Sequence, residues 1–145
     1  MGLFTILQVN FQDYCTLDQG AIKALSISHL YKLLDKCSTA IGSRLLNTWL
    51  LMPLKDKSHI ESRLDIVQVL TEDPVLLQQL SSILKNFPDT ERTATKFTRS
   101  KANLNDCVAL YQALNKIPMI IQVLESCSFE SEFQQIAEPL MVILS

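Results

Sequence analysis

Glycine is scarce in this chain. Only Gly2, Gly20 and Gly42 occur among its 145 residues, and their spacing makes neither a Walker A loop, two glycines five apart followed by Lys and Ser or Thr, nor a dinucleotide-binding GxGxxG. Nucleotide binding by either route is excluded within these residues. Paired cysteines are missing as well: Cys15, Cys37, Cys107 and Cys127 form no C-x-x-C, and His29 and His59 fall in no ligand spacing, so no metal site is expected. No run of 18 apolar residues exists, so no membrane span is expected. The apolar stretch Met1 to Val9 lacks the basic flank and small-residue cleavage site of a signal peptide, and there is no N-x-S/T acceptor. Free, buried thiols in a reducing cytosolic or nuclear compartment are the expectation. Excess charge of one sign is also absent, with 13 Lys plus Arg against 15 Asp plus Glu and a net −2. That leaves no global basic field of the kind sequence-independent DNA binding requires.

Apolar residues are what the chain has in quantity. A hydrophobic share of 48% and a charged share of 19% are those of an ordinary globular protein of one domain. The opening, Leu3 to Phe11, is β-branched and aromatic and reads as a short strand, the end of a lead-in segment over residues 1–28. From residue 29 to 145 the period is helical. Leu30, Leu33, Leu34 and Cys37 form one stripe. In the next segment Ile41, Leu45, Trp49 and Met52 share a face while Leu46, Leu50 and Leu51 fill the others, which predicts a central helix buried nearly all round, with Trp49 inside. Gly42 within it would let another backbone approach closely. Asp56 and the pair Asp73-Pro74 are start signals for stripes at Ile60, Leu64, Val67 and Leu70, and at Leu76, Leu80, Ile83 and Leu84. Pro88-Asp89 is a third. The longest periodic run places Leu104, Cys107, Tyr111, Leu114, Ile117, Ile121 and Leu124 on one face, with a kink at Pro118, and a last helix begins near Phe129. Cys107 then reads as a small core residue. The fold class is all-α, an irregular bundle of six or seven helices.

Chemistry is hard to find. No serine sits in a G-x-S-x-G elbow, and His29 and His59 read as surface residues. Glu72-Asp73 and Glu130/Glu132 stand beside helix starts, where a carboxylate complements the dipole. The chain is therefore expected not to be an enzyme. One local feature stands out. Residues 85–101 carry five basic and two acidic groups, and Arg92, Lys96 and Arg99 at i, i+4, i+7, with Lys101, would line a helix face able to meet DNA phosphates weakly.

A longer pattern carries more information. Ser38 to Asp56, read as T-x-x-G-x-R-L-L-x-x-W-L-x-x-P-L-x-D, continues through Ile60, Arg63, Leu64 and Asp65 and resembles the MutS family of DNA mismatch-repair proteins. Phe87-Pro88-Asp89, Lys96-Phe97 and Ala102 to Cys107 with Leu110-Tyr111-Gln112 are similar to its eukaryotic, heterodimer-forming branch. The resemblance implies a helical core domain that couples the DNA clamp and its lever helices to the rest of the molecule, in a nuclear protein that pairs with a second MutS-type subunit on mismatched DNA. It implies ATP and Mg as cofactors of other domains only, with none bound here. Thr39, Gly42, Arg44, Leu45, Trp49, Pro53, Leu54 and Arg63 match the core-domain signature and are assigned to folding and interdomain packing. Relatives usually have a longer, glycine-containing polar loop between the equivalents of Leu25 and Leu30, so a short or strained turn is expected there. These departures fit a fragment of a mismatch-repair protein; a free-standing helical interaction module is the alternative.

Overall fold

The computed structural model describes residues 13–125, which hold seven helices and no strand. The strand expected over 3–11, the helix expected from Phe129, Cys127 and Glu130/Glu132 lie outside the described residues. The helices are α1 (Gln19–Ala24), α2 (Ile27–Leu34), α3 (Ala40–Leu51), α4 (Lys57–Glu72), α5 (Pro74–Leu84), α6 (Thr90–Thr98) and α7 (Leu104–Glu125). Helical structure thus begins about ten residues before the change of period at residue 29, because Asp18 caps α1 by accepting from the Ala21 N–H at 2.6 Å.

Most starts are set by the residues that announce them. Thr39 accepts from the Gly42 N–H, Asp56 from that of Ser58, Asp73 from those of Val75 and Leu76, and Asp89 from that of Arg92. Each satisfies a backbone donor that the first helical turn leaves unpaired. At α7 the cap is reciprocal. Asn103 Oδ1 accepts from the Asp106 N–H at 3.0 Å and Asp106 Oδ2 accepts from the Asn103 N–H at 2.9 Å, a capping box built from Asn and Asp.

Two junctions carry a left-handed residue that is not glycine. Ser26, in the two-residue link between α1 and α2, has φ 51°, and Ser100, after α6, has φ 53°. For a residue with a Cβ this costs about 1 kcal/mol. At Ser100 the cost is offset by a Schellman closure, in which the Ser100 N–H donates to Phe97 O and the Lys101 N–H to Lys96 O. Ser26 sits where the resemblance implies a longer loop, and the tight link is the strained turn expected there.

Helices α1, α2 and α3 pack in sequence order. The other group is built on α5, which packs on α4 and α7, and α7 in turn packs on α6. The buried apolar residues are Ile27, Leu76, Leu80, Ala113 and Ile117. Several stripes expected inside face outward instead. Leu33 is 72% exposed, Leu64 59% and Leu104 78%, and Leu30, Leu34, Leu45, Ile60, Val67 and Tyr111 are exposed as well. Helix α3, expected to be buried all round, has no fully buried residue, and Trp49 is 40% exposed. Cys37 and Cys107, expected inside, are exposed free thiols, and Cys15 is half-buried.

In α7 the reason is visible in the angles. Asp106, Ala113 and Ile117 lie on the side packed against α5 and α6, and at 100° per residue Leu104, Val108 and Tyr111 fall opposite them. The helix continues through Pro118 to Glu125. By length and composition, Leu104–Leu124 is apolar enough to cross a membrane, with a mean hydropathy of 1.3. No unbroken apolar run makes it so; the polar residues between its apolar ones, among them Asn105, Asp106, Asn115 and Lys116, do not lower the average enough.

Candidate functional site

The signature residues are spread over three elements, and the structure shows what each touches. Thr39 caps α3, and Gly42 fits beneath it. A Cβ on Gly42 would stand 3.1 Å from Thr39 Oγ1 and 3.4 Å from Cys37 Cβ, so the close approach that glycine permits is by side chains and not by a second backbone. Arg44 lies one turn further along α3. Its guanidinium donates to both carboxylate oxygens of Asp89, at 2.9 and 2.7 Å, and to Glu91 Oε2, at 2.9 and 2.7 Å. A planar five-donor fork suits this two-carboxylate geometry in a way an ammonium does not. The same Asp89 caps α6, so one carboxylate ties the start of α6 to α3.

Trp49, on the next turns of α3, is covered on one face by Arg63 of α4, whose guanidinium carbon lies 4.0 Å from the ring centroid. The ring that was expected in a core instead makes a partly solvated cation–π contact between two helices. Beyond α3, Pro53 O accepts from the Cys15 N–H at 2.7 Å, Leu54 forms an isolated antiparallel bridge with Tyr14, and the Lys55 N–H donates to Asp13 O. The turn after α3 therefore anchors the segment that leads into α1. Leu45 makes no such link and is 47% exposed.

The basic segment divides. Lys96 Nζ pairs with Asp106 Oδ1 at 2.5 Å, joining α6 to the capping box of α7. Arg92, Arg99 and Lys101 remain exposed, with no ion pair to a described residue. Of the four candidate contacts three stand outside any ion pair to a described residue, and Lys96, though paired, keeps 43% of its side chain exposed. His29 and His59 are exposed, as expected, and His59 Nδ1 stands 3.4 Å from Asp56.

Several partners were not legible beforehand. Asp89 announces itself as a cap, but nothing in the spacing pairs it with Arg44, 45 residues away. Asp106 could have been found from the N-x-x-D box, though not its bond to Lys96. A further network joins α2 to α3. Asp35 accepts from the Ser43 hydroxyl at 2.9 Å and from the Cys37 N–H, and the Ser43 and Tyr31 hydroxyls, in that order, hold its carboxyl below the usual range. Desolvation, then the Asp35 carboxylate, pushes the Cys37 thiol up, which leaves it protonated and a poor nucleophile. An open groove of about 610 Å³ between α5 and α7, lined by Val75, Gln78, Gln79, Ser82, Ile83 and Val123, offers no titratable side chain.

These carboxylates set the acid response. Hydrogen bonds from Arg44 hold Asp89 below the ordinary aspartate range, and Lys96 and then the Asn103 N–H do the same for Asp106. A group whose pKa is depressed by folding contributes stability that is present above its unfolded value of about 3.9 and lost as pH falls through the folded value. The melting temperature should be flat from neutrality to about pH 5 and fall steeply below pH 4. Arg44→Met should shrink that fall. Melts at pH 7 and 3.5 check this, and an unchanged pH difference in Arg44→Met would contradict the assignment.

The fold and these links define a helical scaffold domain, two groups of helices fastened by side chains of α3 and α4. The chain belongs to the MutS family: the profile of MutS domain III matches residues 7–143. It is 38% identical over 135 residues to the DNA mismatch repair protein MSH2 of Zea mays, covering 86% of this chain and 14% of that protein. Against the msh-2 protein of Neurospora crassa it is 34% identical over 141 residues, 90% of this chain and 15% of that one. The MutS protein of Petrotoga mobilis is 36% identical over 130 residues, 84% and 16%. The chain thus spans about a seventh of the length of the curated relatives it matches.

Proposed function

We propose that this chain serves as the holding and coupling module of a nuclear mismatch-repair protein, with no nucleotide or mismatch-reading chemistry of its own. The observation that carries this reading is the placement of the signature residues. Arg44, Trp49, Arg63, Pro53 and Leu54 are all engaged in links between elements of the domain. None of them converges on a cleft where a ligand would sit. A domain fastened in this way moves as a unit and can pass displacement from one end to the other. The outward apolar stripes of α2, α3 and α4 suit contact with further polypeptide, the lever and clamp parts of a longer chain, and with them a second MutS-type subunit and DNA.

In this reading ATP and Mg belong to other domains. Calorimetric titration of the chain with Mg-ATP should give no saturable heat, because a phosphate cradle needs a glycine-rich loop with a following Lys. Magnesium-dependent turnover that survives repurification would contradict it.

A further inference from the structure

Every extensive helix–helix contact among the described residues lies within one of the two groups: α1 with α2 and α2 with α3, then α4 with α5, α5 with α7 and α6 with α7. The buried apolar residues divide in the same way, Ile27 in the first group and Leu76, Leu80, Ala113 and Ile117 in the second. Helices α3 and α4, which meet across the division through Trp49 and Arg63, hold no buried residue. The chain itself crosses at the link between them, residues 52–56. Among the described residues the side-chain hydrogen bonds that cross are those of Arg44 to Asp89 and Glu91. We propose that residues 52–56 form a hinge between two bodies, and that Arg44 is the latch that holds it closed. The proposal rests on the coupling role above and specifies its regulation: latched, the domain passes a displacement on, and released, it absorbs it.

Leverage separates the two side-chain links. Trp49 stands on the last turn of α3, beside the link, and moves little as the groups turn about it. Arg44 lies about two turns further back, roughly 12 Å from Met52 along the helix. A rotation of about 10° there displaces the guanidinium by about 2 Å, enough to break its hydrogen bonds. The latch is also weak enough to release. Arg44 keeps 47% of its side chain in solvent and Glu91 62%, and ion pairs so exposed are individually weak and screened by salt. Relatching is directed, because Asp89 is held in place as the cap of α6 and the two-oxygen contact fixes how the fork returns. The link suits a hinge, which needs only a few element-terminal residues able to change φ and ψ. Met52 and Asp56, at its ends, both lie outside helical geometry. The segment before α1 grips it, through the Cys15 N–H on Pro53 O and the Lys55 N–H on Asp13 O, so a pull on that segment acts on the hinge directly.

Pulsed dipolar distance measurement between spin labels on the full chain tests this. The exposed native thiols Cys37, in the first group, and Cys107, in the second, carry the labels, with Cys15→Ser and Cys127→Ser. A control pair, Leu77→Cys with Cys107 and Cys37→Ser, lies wholly within the second group. At low salt the Cys37–Cys107 distance should be single and narrow. Arg44→Met should add a second peak, and salt of about 1 M, where the screening length falls to about 3 Å, should move the parent chain in the same direction. Asp89→Asn combined with Glu91→Gln keeps a capping residue at α6 and should reproduce Arg44→Met. The control distance should stay the same throughout. A distribution left single and unchanged by both sets of substitutions overturns the proposal, as does one already double at low salt with Arg44 in place. Broadening of the control pair together with the test pair in both variants overturns it too, since that is loosening of the fold and not a turn at the hinge. None of these outcomes touches ATP or DNA binding, so the scaffold reading stands or falls by its own titrations.

Discussion

Leu76→Ala is expected to destabilise the fold by about 3 kcal/mol, through the lost transfer energy of the side chain and the cavity it leaves. Leu76 is 4% exposed, on the helix that packs against both α4 and α7, with Leu80 one turn further along the same face. Leu80 of α5 and Ala113 and Ile117 of α7 are buried as well, where the two helices pack, so the lost side chain leaves a gap among groups already held in place. For a chain of this size the melting temperature should fall by roughly 6–12 °C. The adjacent Leu77 is 47% exposed, and Leu77→Ala should cost less than about 1 kcal/mol. Urea titrations of the two variants measure the contrast; equal losses would show that α5 does not present the face described.

Ala113→Leu is expected to destabilise by about 2–3 kcal/mol for the opposite reason, since three added carbons must be accommodated in a close-packed seam. Ala113 is 1% exposed, on the side of α7 that packs on α5 and α6. Widening that seam also strains the Lys96–Asp106 pair, which bridges α6 and α7 one end further along. Ala94→Leu, at an exposed position of α6, adds the same three carbons and should change the melting temperature little. A tolerated Ala113→Leu would mean that α7 stands off its neighbours.

How much of this was legible depends on the element. The all-helical class and the starts at Asp56, Asp73-Pro74 and Asp89 could be read directly, because a cap is a local device and its residues lie next to the helix they begin. The stripe of α5 was also right, with Leu76 and Leu80 buried. In the stripe of α7 Ile117 is buried as expected, but Leu33 of α2, Leu64 of α4 and Leu104 and Tyr111 of α7, expected inside, face outward, and Ile27, Asp106 and Ala113 take the buried positions of α2 and α7. Periodicity identifies an apolar face and says nothing of what covers it. In a chain that spans about a seventh of its relatives' length, such faces need not be covered by the chain itself. Trp49 misled for a related reason: its apolar neighbours along α3 suggested a core, whereas the deciding neighbour, Arg63, lies on another helix. Of the candidate DNA contacts, the pairing of Lys96 could not be read beforehand because its partner Asp106 lies across a helix junction.

A domain that holds and transmits but does not read DNA has a distinct signature when it is titrated against matched and G·T-mismatched duplexes at two salt concentrations. With Lys85, Arg92, Arg99 and Lys101 as the exposed cations of residues 85–101, binding should be no tighter than about 10⁻⁵ M at physiological salt, with a log–log salt slope no steeper than about −4. It should be equal for the two duplexes. Tight binding with a preference for the mismatch would contradict that role and place mismatch recognition within these 145 residues.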